Sequence, residues 1–273
     1  MANIIPKKSL GQNFLHDQNI AKKIASSLDI QENDIILEIG SGTGNLTKFL
    51  IEYNVPVYAI EIDQRAIAIL ENTFSATNLH IIHSDILNFD LNSIFVENRD
   101  IKIVGNLPYY ISSQILFYIF EHVEFIQKAI IMLQKEVARR ICSSPRTKDY
   151  GILTVATELS AYPKILFDVS PKCFYPEPKV WSSILEFDFT QQIVSREKYK
   201  NTMELVRAAF NQRRKTMKNS LKNYIEKKLK LTINQYIDSI DDNAKIVFTK
   251  RAEELSSKEF VDFHTSLEQD FNG

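Results

Sequence analysis

The chain has 273 residues, of which 44% are hydrophobic and 25% charged, and its formal net charge is −1. These values are typical of a globular protein with one large domain or one domain plus a small appendage. No apolar stretch is long enough for a transmembrane helix, and residues 1–19 lack the apolar run of a signal peptide. Only two cysteines occur, Cys142 and Cys173. We therefore expect a cytoplasmic protein without disulfides or structural zinc.

The near-neutral total charge hides one strongly basic segment. Residues 196–230 carry twelve Lys or Arg against three Glu, whereas residues 231–273 carry four basic and nine acidic residues. A local charge of +9 in a near-neutral protein indicates binding to a polyanion. A solvated helical surface produces the same pattern, so this feature alone leaves both interpretations open.

A loop of residues 1–16 precedes a helix predicted over residues 17–28. The loop shows no helical or strand periodicity, but it includes Phe14 and Leu15, which are apolar. Apolar side chains of this kind anchor a segment to a domain. We therefore expect an ordered loop rather than a flexible tail.

The most informative stretch is a strand that ends in a glycine-rich turn. Residues 35–39 are apolar except for Glu38 and rich in β-branched side chains, which predicts a buried parallel strand. Glycines follow as Gly40, Gly42 and Gly44, and apolar spacing then predicts a helix over residues 45–53. A strand, a glycine turn and a helix are typical of a nucleotide-cofactor site, because a missing Cβ lets the ligand approach the backbone.

Two cofactor classes compete for this turn. Dinucleotides are bound by G-x-G-x-x-G, whereas the spacing here is G-x-G-x-G, with Asn45 where the dinucleotide pattern has glycine. Glu38 lies near the end of the strand, and its carboxylate would repel a pyrophosphate but attract a cationic ligand. The pattern therefore favours S-adenosylmethionine, whose sulfonium and ammonium groups are positive.

Acidic residues also close the next two predicted strands. Residues 55–63 form one, in which Glu61 lies 21 residues after the first glycine of the turn. An acid near this spacing binds ribose hydroxyls in related nucleotide sites. Residues 79–85 form the other, and its last residue, Asp85, suits an amine such as adenine N6 or, alternatively, caps a turn. Asp63 is expected to cap the following helix.

A fourth predicted strand, residues 101–105, runs into the tetrapeptide Asn106-Leu107-Pro108-Tyr109. Pro108 restrains Leu107 to an extended conformation, which can turn the Leu107 carbonyl outward. This carbonyl and the Asn106 side chain are two acceptors, and Tyr109 offers a flat ring. An exocyclic amine on a flat base requires such a set. A proline turn with buried tyrosines is the structural alternative.

The rest of the sheet is predicted from shorter patterns. Residues 129–133 predict a fifth strand, and residues 166–169 with 182–187 predict an antiparallel pair. In the loop between that pair, Phe174 is either a second stacking surface or a packed residue. Trp181 is interpreted as a packing residue.

The apolar spacing becomes helical after residue 190. Residues 205–221 predict one basic helix. We therefore divide the chain into a cofactor-binding domain, residues 1–194, and a small helical domain, residues 195–273, which contains the basic segment.

Together these motifs resemble the rRNA adenine N6,N6-dimethyltransferases, over nearly the whole chain. Five features carry the resemblance: the E-x-G-x-G-x-G turn from Glu38, the acids Glu61 and Asp85, the N-L-P-Y turn from Asn106, the loops Lys8–Leu15 and Phe174–Pro176, and the basic segment Phe210–Lys215. The resemblance implies an α/β fold, with a Rossmann-like class I methyltransferase sheet that has helices on both faces. A small C-terminal α-helical domain would follow.

The resemblance also implies a role for each group of residues. The catalytic set would be Asn106, Leu107, Pro108, Tyr109 and Phe174. The S-adenosylmethionine site would be formed by Asn13, Leu15, Glu38, Gly40, Gly42, Gly44, Glu61, Asp85 and Asn106. RNA contacts would come from Lys7, Lys8, Arg213, Arg214, Lys215, Lys218 and Lys222.

The implied substrate is a pair of adjacent adenosines near the 3′ end of small-subunit (16S) rRNA, presented on an immature small ribosomal subunit. We expect a monomer that needs neither a metal nor a membrane. The macrolide-resistance branch, which dimethylates large-subunit rRNA, is an alternative that the basic N-terminal loop and the long helical tail disfavour. A non-catalytic assembly or transcription factor on this scaffold is a second alternative, which the intact Asn106–Tyr109 turn disfavours. A dehydrogenase is disfavoured by the glycine spacing.

Overall fold

The computed structural model describes residues 4–7, 10–191 and 193–272; Lys8 therefore lies outside the described residues. Within them, seven strands form a central sheet and two more form a short ribbon. The strands are β1 (Phe14–Leu15), β2 (Ile35–Ile39), β3 (Val57–Glu61), β4 (Leu79–His83), β5 (Ile101–Asn106), β6 (Ile126–Gln134), β7 (Tyr162–Val169), β8 (Phe174–Tyr175) and β9 (Ser182–Asp188).

The α-helices fall into two groups along the chain. Those that alternate with the strands are α1 (Gln18–Ser27), α2 (Thr47–Leu50), α3 (Gln64–Thr73), α4 (Ser112–Phe120), α5 (Lys135–Ile141) and α6 (Ile152–Ser160). Those that follow the sheet are α7 (Arg196–Phe210), α8 (Met217–Ser220), α9 (Lys222–Leu229), α10 (Ile233–Ser239), α11 (Asp242–Thr249) and α12 (Ser257–Asn272). Within the described residues, no helix combines the length and apolar character needed to cross a membrane.

The central sheet has the order β4-β3-β2-β5-β6-β9-β7. Its first five strands are parallel, whereas β9 runs antiparallel to both β6 and β7. This order confirms the predicted Rossmann-like class I methyltransferase sheet and its closing antiparallel pair. Because β2, β3 and β5 are parallel neighbours, their carboxyl ends meet at one edge, where ligands bind in sheets of this type.

The strands that carry the site are buried along almost their whole length. All five residues of β2 are buried, and so are the first five of β5. The buried residues include the charged Lys102, whose Nζ lies 2.8 Å from Asp34 Oδ2, and both of these side chains are almost fully buried. A buried charge of this kind needs its partner. The pair lies at the opposite end of β5 from Asn106.

The structure corrects two predicted helices. The helix predicted over residues 45–53 is only the four-residue α2, followed by a 3₁₀ turn over Ile51–Tyr53. The basic helix predicted over residues 205–221 is interrupted, because α7 ends at Phe210 and helical structure resumes only at Met217. At the interruption the Met217 amide donates to the Lys250 carbonyl at 2.8 Å. In a continuous helix it would donate to the carbonyl four residues earlier. The predicted cap at Asp63 is confirmed.

The chain divides into two compact units. The first consists of Met1–Ala138 and Ala161–Gln191, and the second of Arg139–Ser160 and Gln192–Gly273. The sequence-based division at residue 194 placed Arg139–Ser160 in the first domain instead. Within the second unit this segment is held by the buried Tyr150, whose hydroxyl donates to the Leu255 carbonyl at 2.8 Å. Helical spacing near the end of a chain does not reveal such a contact.

Candidate cofactor and target site

A cavity of about 330 Å³ opens at the carboxyl ends of β2, β3 and β5. Its volume lies within the range of small-molecule sites, about 300–1,000 Å³. Nine predicted site residues line it: Asn13, Gly40, Gly42, Glu61, Asp85, Asn106, Leu107, Pro108 and Tyr109. Four predicted residues do not: Leu15, Glu38, Gly44 and Phe174. The sheet edge therefore brings together most, but not all, of the predicted set.

Glu61 is a fixed acceptor at the end of β3. One carboxylate oxygen accepts the Gly42 amide at 2.7 Å, and the other accepts the amides of Ile62 and Asp63, each at 2.9 Å. These three bonds use three of the roughly four lone-pair positions of a carboxylate. The side chain is consequently held in one orientation, with capacity left for a ligand hydroxyl.

Asp85 takes the capping role that the sequence offered as one of two alternatives. Its Oδ1 accepts the Leu87 amide at 3.0 Å and so caps a 3₁₀ helix over Ile86–Asn88. The same side chain lines the cavity. Capping fixes the carboxylate at the end of β4, which suits an acceptor for an exocyclic amine.

Glu38 lies behind the glycine turn rather than in the cavity. It is 2% exposed and borders a smaller space of about 40 Å³ that Gly40 and Asn106 also line. The Thr47 hydroxyl donates to its Oε2 at 2.6 Å. Burial, together with the nearby Glu61 charge, raises the pKa of Glu38 to about 7, although the hydrogen bond from Thr47 acts to lower it. The predicted carboxylate is therefore partly protonated at neutral pH.

The glycines of the turn are required by the protein's own contacts as well as by ligand access. Gly42 has φ +54°, and a Cβ there would lie 3.0 Å from the Phe14 ring. Gly44 has φ +82°, and a Cβ there would lie 2.4 Å from the Phe74 ring, closer than real Cβ contacts. Gly44 therefore lets the turn pack on α3 and its end, and it is not among the residues that line the cavity. Its role in cofactor binding stays a prediction.

Asn106 is oriented by the N-terminal loop. Its Nδ2 donates to the Asn13 carbonyl oxygen at 2.8 Å. A carbonyl can only accept, so the NH₂ group of the Asn106 amide must face it and the amide oxygen is directed elsewhere. Because Asn106 lines the cavity, this arrangement makes its Oδ1 an acceptor for a ligand there.

The loop itself is held by a buried acid that sequence reasoning assigned only to a helix cap. Asp63 Oδ2 accepts Gln12 Nε2 at 2.9 Å, and Gln12 Oε1 accepts the Lys7 amide at 2.8 Å. Hydrogen bonds from the Arg65 guanidinium lower the pKa of Asp63, which keeps it ionised. Arg65 also donates to the Ile5 carbonyl at 3.0 Å. These bonds confirm an ordered loop over its described residues, and the Lys7 ammonium lies 3.6 Å from Asp63.

Tyr109 is half-buried, and its hydroxyl lies 2.7 Å from the Ser182 hydroxyl. Burial raises the pKa of Tyr109, so the phenol stays neutral at physiological pH. The bond ties the turn after β5 to the first residue of β9. Its neighbour Tyr110 also lines the cavity but is 59% exposed.

Phe174 and Leu15 pack in the core instead of lining the cavity. They are partners in the β1–β8 ribbon, at 3% and 6% exposure, and belong to one apolar cluster with Ile24 and Met132. The structure thus shows the packed alternative for Phe174, whose ring would have to leave this cluster in order to stack on a base. Trp181 contradicts its interpretation as a packing residue, because it is 50% exposed.

The predicted RNA-binding residues of the second unit differ in their partners. Arg213 Nε lies 2.6 Å from Glu253 Oε2, and its Nη2 donates to the Lys148 carbonyl at 2.6 Å. The charge of Arg213 is therefore paired with an acidic residue of the same unit. The other four are exposed and lie in or after the turn that ends α7: Arg214, Lys215, Lys218 and Lys222.

The family model described as ribosomal RNA adenine dimethylase matches residues 5–262. The chain belongs to this family. The small-subunit rRNA methyltransferase A of Lachnoclostridium phytofermentans is 41% identical, over 93% of this chain and 89% of that protein. The protein with the same description from Mesomycoplasma hyopneumoniae is 42% identical, over 83% and 85% of the two chains.

Solved structures agree with this membership. A dimethyladenosine transferase from Plasmodium falciparum superposes with a TM-score of 0.79 at 25% identity, covering 94% of this chain and 98% of that one. The 23S rRNA methyltransferase ErmE superposes with a TM-score of 0.63 at 23% identity, covering 93% and 100%. The second likeness shows a shared fold.

Proposed function

We propose that the chain transfers methyl groups from S-adenosylmethionine to the N6 amines of adenosines in small-subunit rRNA. The family supplies the reaction class, and the names of the curated relatives supply the small subunit. The observation that carries the proposal is the oriented amide of Asn106. Its oxygen is an acceptor at the cavity, on the same turn as the ring of Tyr109.

The residues around the cavity fit the proposed cofactor. Glu61 is a fixed acceptor suited to ribose hydroxyls, and Asp85 is one suited to the adenine amine. Glu38, behind the turn, is an acid whose ionisation a neighbouring cationic group would favour. When bound, the cofactor supplies an electrophilic methyl group on a sulfonium.

The chain's contribution to the reaction is to prepare the target amine. The lone pair of adenine N6 is delocalised into the ring, which makes it a poor nucleophile. Asn106 Oδ1 and the Leu107 carbonyl accept the two N6 hydrogens, which favours a tetrahedral nitrogen and stabilises the positive charge that develops on it. Tyr109 stacks on the base once it has left its neighbours, and positioning supplies much of the rate. The proton released from N6 goes to solvent.

RNA affinity comes from phosphate contacts by the exposed basic residues of the second unit, Arg214, Lys215, Lys218 and Lys222. Each phosphate contact adds roughly 0.7–0.9 to the slope of log affinity against log salt. We therefore expect Lys218→Ala and Lys222→Ala to reduce that slope. Arg213→Ala should mainly destabilise the second unit, because its charge is paired with Glu253.

The proposed substrate is a pair of adjacent adenosines near the 3′ end of the rRNA, on an immature small subunit in the cytoplasm, modified by a monomer. The test is methyl transfer from labelled S-adenosylmethionine to unmethylated small subunits, free small-subunit rRNA and large-subunit rRNA, with mass spectrometry of the nucleosides. N6,N6-dimethyladenosine in small subunits only is expected. Transfer to large-subunit rRNA would indicate the resistance activity. Tight subunit binding without any transfer would indicate an assembly factor.

A further inference from the structure

Trp181 is a large aromatic residue that stays half-exposed beside the catalytic turn. It precedes β9, and its carbonyl oxygen accepts the Lys135 amide at 2.9 Å. The Lys135 ammonium lies 5.8 Å from the centre of the indole ring. The backbone is thus fixed while the ring remains open to solvent, an arrangement suited to contact with a partner.

The ring is closely connected to the proposed target site. Ser182, the next residue, holds the Tyr109 hydroxyl at 2.7 Å. On the other side of Tyr109 in sequence, Tyr110 is 59% exposed and lines the cavity. Two exposed aromatic residues are therefore connected to Tyr109. Tyr110 follows it in the sequence, and Trp181 precedes Ser182, whose hydroxyl contacts that of Tyr109.

The chemistry around Trp181 suits RNA. Lys179, two residues earlier, is exposed, and Lys172 at the start of the same loop is also exposed. Aromatic faces that stack on bases, combined with lysines that meet phosphates, are how proteins hold single-stranded nucleic acid.

We propose that Trp181 and Tyr110 stack on the nucleobases next to the target adenosine, so that the first unit holds a short unstacked RNA segment at the cavity mouth. This rests on the proposed function. When a base leaves its stack, its neighbours lose a stacking partner, and that loss is part of the cost of extrusion. The two rings replace the lost partner.

The same sheet edge supplies a matched control. Tyr162 is 62% exposed and pairs with Asp188, at the opposite end of the β7–β9 ladder from Ser182. Six residues of strand separate the two ends, which is about 20 Å. Tyr162→Ala therefore removes an exposed aromatic ring from the same strand pair without touching the cavity mouth.

Two measurements test the proposal. Trp181 is the only tryptophan of the chain. With S-adenosylhomocysteine bound, its fluorescence should be quenched by a protein-free hairpin of the rRNA 3′ end that includes the target adenosines. In steady-state methyl transfer to small subunits, Trp181→Ala and Tyr110→Ala should each raise KM about 5- to 100-fold, because stacking contributes about 1–3 kcal/mol per base. Trp181→Phe should retain most of the affinity, and Tyr162→Ala should resemble the wild type.

Unchanged tryptophan emission at saturating hairpin would overturn the proposal, as would a KM for Trp181→Ala equal to that for Tyr162→Ala. A raised KM on subunits without quenching by the hairpin would assign the surface to a ribosomal protein instead, and so also overturns it. If the wild type methylates no small subunits, the proposed function fails, while the fluorescence titration still decides whether Trp181 stacks on RNA.

Discussion

Replacing Asn106 by alanine removes two interactions of different kinds from one position. The side-chain nitrogen binds the Asn13 carbonyl of the N-terminal loop at 2.8 Å. The side-chain oxygen is the proposed acceptor for the target amine. The first interaction exists in the protein before substrate arrives, whereas the second becomes strong only as positive charge develops on N6. The two losses should therefore appear in different measurements.

The magnitudes follow from the type of each hydrogen bond. A bond to a charged group contributes about 1.5–3 kcal/mol, and a neutral one about 0.5–1.5 kcal/mol. At about 1.4 kcal/mol per factor of ten, the oxygen accounts for roughly a 10- to 150-fold fall in kcat. The nitrogen accounts for roughly a 2- to 12-fold loss of cofactor affinity, because it fixes a loop that lines the cavity.

The assay combines single-turnover methyl transfer to small subunits with calorimetric titration of S-adenosylhomocysteine. The matched comparison is Asn13→Ala, which keeps the backbone carbonyl that orients Asn106. That variant should change affinity for S-adenosylhomocysteine more than the rate of transfer. Equal losses of rate and affinity in Asn106→Ala, or a rate within threefold of the wild type, would refute the assigned role of the amide oxygen.

Three further predictions concern stability, each measured by chemical or thermal unfolding. Gly44→Ala should cost about 2–5 kcal/mol, because it combines a left-handed backbone with a Cβ 2.4 Å from the Phe74 ring. Lys102→Met should cost about 3–5 kcal/mol, because it leaves the buried Asp34 without its partner at 2.8 Å. Burial raises the pKa of Glu38 in the folded protein from an ordinary value of 4.5 to about 7, so its contribution to stability is complete below pH 4.5 and is lost as the pH rises through 7. Glu38→Gln should therefore gain about 3 kcal/mol relative to the wild type between pH 4.5 and pH 8.

Each of these predictions has an internal control. A Cβ on Gly151 would meet no atom within 4 Å, so Gly151→Ala should leave stability almost unchanged. Adding Asp34→Asn to Lys102→Met should recover most of the loss, since the amide keeps an acceptor for the Gln31 amide. A wild type and a Glu38→Gln variant with parallel pH profiles would show that Glu38 is ionised in the folded protein at all these pH values.

Local sequence patterns predict which residues lie at the edge of the sheet, but they do not predict contacts between residues that are distant in sequence. Apolar runs predict strands, and polar residues that follow parallel strands must meet at one edge, so Glu61, Asp85 and Asn106 were placed correctly beside the cavity. The hydrogen bond between Gln12 and Asp63 joins residues 51 positions apart, and no periodicity in the sequence predicts it. The same limit applies to Gly44, because its close approach to the ring of Phe74 could not be read from the spacing of the glycines.

The errors share a physical origin. Helical spacing continues from Leu205 to Leu221, yet α7 ends at Phe210, and at the next helical segment the Met217 amide bonds to the distant Lys250 carbonyl. The interpretation of Trp181 as a packing residue is wrong, because its side chain is 50% exposed although Lys135 contacts both its backbone and its ring. In each case a partner distant in sequence overrides the local preference.

The bond between Asn106 and the Asn13 carbonyl also links cofactor exchange to the chemistry of the target. Each methyl group consumes one cofactor, so forming a dimethylated amine requires the cavity to be emptied and refilled between the two transfers. The Asn13 carbonyl that orients the Asn106 amide belongs to a loop that lines the same cavity. A shift of this loop during exchange would also release the Asn106 amide, so an intact loop contact is a condition for each of the two transfers.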